Sequence, residues 1–244
     1  MREENEHQTD GLQLKFLTSN IKDTKVFYTL IFGNPIYESE TQLVFNYKTN
    51  QDSNVQLFYK ENSETPTGSS TLLHVNNVTE LWLKLKDKVK ITTPLTEFTW
   101  GTYFGFKDNQ NYSLGYYTKK ESHPAETQFT ESINDFKRSR NFYEKILNFE
   151  CIEDWDRGEF DKGAIFKIGL NRFEIINRNR PNGIVPPKTG TIVCLKVENV
   201  WNEWKRLKNI VNVKYPLRES SKNYFSFGFY DVDGLLLEFF SIKK

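Results

Sequence analysis

The chain carries few side chains able to do chemistry, and their spacing excludes most reaction classes. Its cysteines, Cys151 and Cys194, stand in no Cys-x-x-Cys pair and have no histidine close by in sequence, so neither reads as an activated thiolate. Of the histidines, His7 and His123 sit in polar flanks and read as solvated, while His74 alternates with Ser70 and Leu72 and reads as an interfacial strand residue. Asp231-Val-Asp-Gly234 followed by Glu238 has the look of a calcium loop, but its glycine is fourth rather than sixth. It reads instead as a turn feeding the last strand. There is no Gly-x-Ser-x-Gly, no phosphate loop and no dinucleotide fingerprint. What the chain does have is rings, with 20 Phe, 12 Tyr and 5 Trp. Trp82 and Trp204 fall at matching helical positions and read as core, whereas Trp100, Trp155, Tyr224 and Phe225 have no helical register and are candidate walls of a pocket.

Charge and composition narrow the partners. Lys+Arg number 33 against 32 Asp+Glu, leaving +1 with no long run of like charge, so no nucleic-acid partner is expected. The first residues, Met-Arg-Glu-Glu-Asn-Glu, form no apolar leader, and no stretch reaches the roughly 18 apolar residues a membrane helix needs. With only two cysteines, the chain is expected to be cytoplasmic, with free thiols.

The elements that must position any site come in repeats. Asn20-Ile-Lys-Asp-Thr-Lys-Val-Phe27-Tyr28 is echoed by Asp135-Phe-Lys-Arg-Ser-Arg-Asn-Phe142-Tyr143, at an offset of 115 (142 − 27). Val75-Asn-Asn-Val with Trp82 and Leu85 is echoed by Val197-Glu-Asn-Val with Trp204 and Leu207, at 122 (204 − 82). Phe104-Gly-Phe-Lys-Asp108 is echoed by Phe227-Gly-Phe-Tyr-Asp231, at 123 (227 − 104). Three matched blocks in one order indicate duplication. The expected organisation is two tandem domains, 11–118 and 126–242, joined by the polar, proline-containing stretch Thr118–Ala125. Within each copy, strand alternation, a helix capped by Asn20 or Asp135, and three further strands repeat, then a second helix at 77–87 or 199–208 restarts the order. The fold class is α+β, with each copy made of two β-α-β-β-β units.

In this pattern the chain resembles the glyoxalase, bleomycin-resistance and extradiol-dioxygenase superfamily, the vicinal oxygen chelate fold. The resemblance is carried by the capped helix with Phe142-Tyr143 and Ile146-Leu147-Asn148-Phe149, by Val197-Glu-Asn-Val200, and by Phe229-Tyr-Asp231-Val-Asp233-Gly234-Leu-Leu-Leu-Glu238. It implies that two units pair into a curved-sheet cup, and that a divalent metal, when present, is held there by His, Gln or Glu from the first and last strand of each unit. In the C-terminal copy those positions fall on Gln128, Glu174, Ile192 and Glu238, and in the N-terminal copy on Gln13, Gln56, Ser70 and Gly115. Ile192 departs from the family's frequent histidine. Oxygen donors without imidazole would suit Mg or Mn better than zinc or non-haem iron. No cofactor is therefore expected, a divalent ion held by Gln128, Glu174 and Glu238 stays open, and the N-terminal half is expected to be degenerate. Glu174 and Glu238, if buried in one cup, would need a metal, an arginine such as Arg172 or Arg178, or a shared proton. The resemblance supports two roles. One is a metal-free small-molecule binding protein, with Gln128, Trp155, Tyr224 and Phe225 around the ligand. The other is a metal-dependent lyase, isomerase or dioxygenase with Glu238 and Glu174 as catalytic groups, a glyoxalase-like lyase sooner than an iron dioxygenase.

Overall fold

The computed structural model describes residues 9–46, 54–59, 69–120, 127–159, 161–169, 171–178, 190–220 and 224–242. Four β-α-β-β-β units follow one another. The first comprises β1 (Thr9–Thr18), α1 (Ile21–Phe32), β2 (Tyr37–Glu38), β3 (Gln42–Asn46) and β4 (Asn54–Tyr59). The second comprises β5 (Ser69–His74), α2 (Val78–Leu85), β6 (Lys90–Phe98), β7 (Gly101–Lys107) and β8 (Ser113–Lys119). The third comprises β9 (Thr127–Ser132), α3 (Phe136–Asn141), β10 (Glu150–Asp156), β11 (Asp161–Ile168) and β12 (Asn171–Arg178). The fourth comprises β13 (Thr191–Val197), α4 (Val200–Leu207), β14 (Asn212–Ser220), β15 (Tyr224–Tyr230) and β16 (Leu236–Ile242).

Each helix starts where a short polar side chain can accept from the first free amides. Asn20, Asn77, Asp135 and Asn199 accept from the N–H groups of Asp23, Glu80, Arg138 and Asn202. Past α3 the chain widens to a π-helical turn at Phe142–Ile146, where the Leu147 N–H donates to the Phe142 carbonyl at 2.9 Å. Trp82 and Trp204 lie edge-on to Phe104 and Phe227 at 5.4 and 5.3 Å, in the core as expected.

The sheets join the units in an order that the repeat does not announce. One eight-stranded sheet runs β14-β15-β16-β13-β1-β4-β3-β2, and the other runs β10-β11-β12-β9-β5-β8-β7-β6. In every unit the last strand pairs in parallel with the first, which leaves the first strand's other edge open. Those open edges close antiparallel across the halves, β1 on β13 and β5 on β9. The first unit therefore shares a sheet with the fourth, and the second with the third. The sequence leaves open whether the units pair within 11–118 and 126–242 or across them; the pairing is across the halves, and the β8–β9 junction lies between strands of one sheet.

The helix-bearing faces of both sheets feed one apolar cluster, which includes Leu14, Phe16, Phe104, Phe129, Phe166, Phe173, Leu195, Phe227 and Phe239. Two buried tyrosines pin the sheets across it. Tyr28 on α1 donates to Asp108 Oδ2 at 2.8 Å, and at the related position Tyr143 contacts Asp231 Oδ2 at 2.5 Å. Each aspartate is held by its own turn: Asp108 Oδ1 accepts from the N–H groups of Gln110 and Tyr112, and Asp231 Oδ1 from those of Asp233 and Leu235. The expected turn at Asp231–Gly234 is thereby explained, with Gly234 at φ +88°. Burial pushes both tyrosine hydroxyls up, and the neighbouring carboxylates push them further. Tyr143 also meets Glu131 Oε2 at 2.6 Å, so Tyr143→Phe leaves two buried carboxyl groups without this partner and Tyr28→Phe only one. Each lost hydrogen bond to a carboxyl group costs about 1.5–3 kcal/mol. Urea denaturation should show both variants destabilised, Tyr143→Phe more than Tyr28→Phe, and the exposed Tyr37→Phe near wild type; equal midpoints for all three would refute the pinning role.

Candidate functional site

Strand alternation turns one residue set toward the helices and the other toward the concave face of each sheet. On β9 and β12, Phe129 and Phe173 stack at 5.4 Å beneath Tyr143, so Gln128, Thr130, Arg172 and Glu174 point the other way. There they meet. Gln128 Nε2 donates to Glu174 Oε2 at 2.9 Å, and Thr130 Oγ1 donates to the same oxygen at 2.6 Å. Across the β5–β9 seam, Leu72 stands opposite Gln128 and Ser70 opposite Thr130. Arg172 lies within 3.8 Å of Glu153 on β10.

Walls rise on both sides of this floor because glycines let rings lie on the sheet. A Cβ at Gly163 would overlap the indole of Trp155, and one at Gly105 or Gly115 would overlap the Tyr103 ring. The Trp155 indole N–H also donates to Asp161 at 3.3 Å. On the opposite side Trp100, half exposed, leans on Tyr103 and Tyr117 at 6.5 and 6.0 Å and stacks on Phe98 at 5.3 Å. His74 packs edge-on to Tyr117 at 5.2 Å, an interfacial role as expected. The face thus pairs a polar floor of Gln128, Thr130 and Glu174 with aromatic walls at Trp155 and at Trp100, Tyr103 and Tyr117. Such a surface can hold a flat molecule by its faces and orient it by one polar edge.

The other sheet has a different floor. Lys15 Nζ on β1 donates to Glu238 Oε1 on β16 at 2.6 Å, with both side chains nearly shut off from solvent. The Tyr215 hydroxyl donates to the second oxygen of Glu238, and its ring lies where a Cβ on Gly228 would be. Arg218 covers the outer face of that ring at 4.2 Å. Burial alone would lower the Lys15 ammonium, but the Glu238 carboxylate beside it outweighs burial and holds the group above the usual lysine range. Burial pushes the Cys194 thiol well up, against the pull of Lys15, so it is no nucleophile.

The residues nominated from sequence are therefore divided. Gln128, Glu174, Trp155 and Trp100 share one concave face. Glu238 lies on the other sheet, and the expected triad of Gln128, Glu174 and Glu238 is corrected for that reason: the partner of the third unit is the second, so Gly115 stands where Glu238 was wanted. Tyr224 lies on the second sheet against Phe240 at 5.7 Å. Phe225 is turned to the helix side, against Trp201 at 5.4 Å, and is withdrawn as a pocket wall. Ile192 sits on β13 opposite Lys15, and Gln13 opposite Cys194. Gln56 pairs with Lys15 in register, but its side chain, that of Arg178, and His7 and His123 fall outside the described residues. Sequence reasoning missed Lys15, Tyr103, Thr130 and Tyr215; the signal for the tyrosines lay in glycines alternating within the ring-rich strands at Gly105, Gly115 and Gly228.

These donors do not make the metal site implied by the resemblance. The first floor offers one carboxylate and one amide from a single unit, and its facing positions are Ser70 and Gly115. On the second floor, Glu238 already holds an ammonium. Among the described residues, the one cluster of three carboxyls with donor atoms within 4.8 Å is Glu131, Asp231 and Asp233. It lies on the helix side, where Tyr143, Ser139 and backbone amides engage it.

Residues 128–239 match the family model of the Glyoxalase/Bleomycin resistance protein/Dioxygenase superfamily. Among solved structures, glyoxalase I from Zea mays superposes with a TM-score of 0.78 at 17% identity, over 96% of this chain and 93% of that one. A putative dioxygenase from Bacillus subtilis gives 0.69 at 15%, over 96% and 86%, and the cppA protein of Streptococcus pneumoniae gives 0.59 at 12%, over 96% and 99%. At these identities the likeness is one of fold. No curated protein sequence matches the chain. No helix among the described residues is long and apolar enough to cross a membrane.

Lys15→Met would leave the buried Glu238 carboxylate without its ammonium partner, at a cost of about 3–5 kcal/mol. Because the folded-state lysine pKa lies above the unfolded value of about 10.4, the contribution is whole below that pH and is lost as pH rises through the folded value. Denaturation at pH 7 should show the full gap between wild type and Lys15→Met, and the gap should shrink above about pH 10.4; a gap constant to higher pH would count against the ion pair.

Proposed function

We propose that the chain, whose residues 128–239 match the model of the glyoxalase/bleomycin resistance/dioxygenase superfamily, is a small-molecule binding protein of that superfamily that works without a catalytic metal. The occupied site is the concave face formed by β5–β8 with β9–β12. The observation that carries this reading is that Trp155 and Trp100, toward opposite edges of one sheet, share a face with the Gln128–Thr130–Glu174 floor. Flat rings on this face suit a planar, partly apolar ligand. Burying such a molecule against a ring gains about 25 cal/mol for each Å² of apolar surface removed from water.

The floor supplies direction. Thr130 and Gln128 both donate to Glu174 Oε2 and so hold its carboxylate in one orientation, ready to accept from an N–H or O–H on the ligand edge. A fixed acceptor loses little rotamer freedom on binding, which favours affinity. Proton abstraction from an activated carbon would need an electrophile to stabilise the resulting charge, and the donors around Glu174 do not make up the ligand set for a divalent ion.

The first test is the native mass of the protein purified without chelator against its denatured mass. An organic adduct, or a bare chain whose tryptophan fluorescence is quenched by acridine, is the expected result. Trp155→Ala and Trp100→Ala should each weaken acridine binding about tenfold, the loss of roughly 1.4 kcal/mol of ring contact. Tyr224→Ala, on the other sheet, should not. A stoichiometric divalent ion removed by chelator and lost in Glu174→Gln would overturn the metal-free reading.

A further inference from the structure

The two concave faces descend from one repeated pattern, so their differences can be compared position by position. At the 115-residue offset Gln13 corresponds to Gln128 and Lys15 to Thr130, and at the 123-residue offset Gly105 corresponds to Gly228 and Gly115 to Glu238. Each floor has a single last-strand carboxylate at these positions, Glu174 on one and Glu238 on the other. The donors to Glu174 Oε2 include an amide and a hydroxyl, those of Gln128 and Thr130. Around Glu238 one donor is a full positive charge, with Lys15 Nζ 2.6 Å from Oε1; the Tyr215 hydroxyl donates to Oε2, and the Cys194 thiol is a further hydrogen-bond partner. Both oxygens of Glu238 are thus engaged. The register sets Gln13 of β1 opposite Cys194 of β13, and Cys194 beside Glu238 of β16, so an amide, a thiol and a carboxylate lie in one row across three strands with the Lys15 ammonium among them.

We propose that the Lys15 ammonium is the resident cation of the second concave face, standing on Glu238 where an added divalent ion would have to bind, so that this floor is closed to metals by the protein's own side chain. A lysine on the first strand of one unit and a carboxylate on the last strand of another meet only because β1, β13 and β16 are consecutive in the sheet. The closure is thus a property of the cross-half pairing. Without the ammonium, the row of Gln13, Cys194, Glu238 and Tyr215 offers a sulfur and several oxygens to an incoming ion, a donor set that suits Zn²⁺.

The test titrates Zn²⁺ into four full-length proteins carrying Cys151→Ser, which removes the other thiol: the parent, Lys15→Gln, Glu238→Gln and the double variant. Lys15→Gln should take up one Zn²⁺ at least tenfold more tightly than the parent by calorimetry and native mass, and the double variant should return to the parent level. Equal affinity in the parent and in folded Lys15→Gln would overturn the proposal, as would Zn²⁺ binding by the parent that Glu238→Gln abolishes. Should Lys15→Gln fail to fold, the wild-type protein decides. Its Lys15 side-chain nitrogen resonance, assigned by its absence in Lys15→Arg, should keep its position and width in millimolar Mn²⁺. Selective broadening of that resonance would mean that the ion reaches Glu238, and the proposal would fall.

Discussion

The open edge of each unit's first strand is the constraint on which the rest of the molecule depends. Each unit folds its last strand back in parallel against its first, so one side of β1, β5, β9 and β13 is satisfied locally and the other presents unpaired backbone groups in the middle of an apolar surface. A four-stranded unit left alone would expose that edge and half of its core. Antiparallel closure of β1 on β13 and of β5 on β9 removes the problem twice, and it puts two first strands side by side at the centre of each sheet. The floor residues are first-strand residues for that reason. Gln128 and Thr130 face Leu72 and Ser70 across one seam, and Lys15 reaches Glu238 across the other.

The same closure explains why one repeat yields two unlike faces. Alternation fixes which residues face away from the helices, but not what stands across the seam. Where the third unit meets the second, the last-strand position opposite Glu174 is Gly115, and the space above it is taken by the Tyr103 ring. Where the first unit meets the fourth, the corresponding position is Glu238, and Tyr215 lies on Gly228 beside it. A ring on a glycine recurs on both sheets. On one it stands beside the floor of Gln128, Thr130 and Glu174, and on the other it completes a closed ion pair.

Much of the fold was legible in the sequence. The four caps, Asn20, Asn77, Asp135 and Asn199, mark the helix starts, and the matched Trp82 and Trp204 mark the helix faces that enter the core. These are local signals, read within a turn or a strand. The partner of each first strand is not local: nothing in the composition of β9 distinguishes β5 from β13 as its neighbour, because the repeat makes the two alike. That single ambiguity divided the expected triad, since Gln128 and Glu174 belong to one unit and stay together under either pairing, whereas Glu238 follows its own unit to the other sheet. Phe225 was misplaced for a smaller reason. Without the register of β15, a ring-rich strand with Phe225, Phe227 and Phe229 on one face cannot be told from the same strand turned over.

What stabilises the molecule lies on the opposite faces from those that could bind. The shared apolar cluster, the Tyr28–Asp108 and Tyr143–Asp231 pins and the carboxyl cluster around Glu131 are all on the helix side. Substitution on the concave faces leaves that scaffold intact, provided that each buried charge there keeps a partner. Lys15 and Glu238 meet this condition as a pair, which is why either can change only together with the other or at a cost. Glu174 has the Gln128 amide and the Thr130 hydroxyl among its partners. The fold hosts many chemistries because its stability and its sites occupy different faces, and the chemistry of this chain is therefore to be read from those few concave residues rather than from the architecture they stand on.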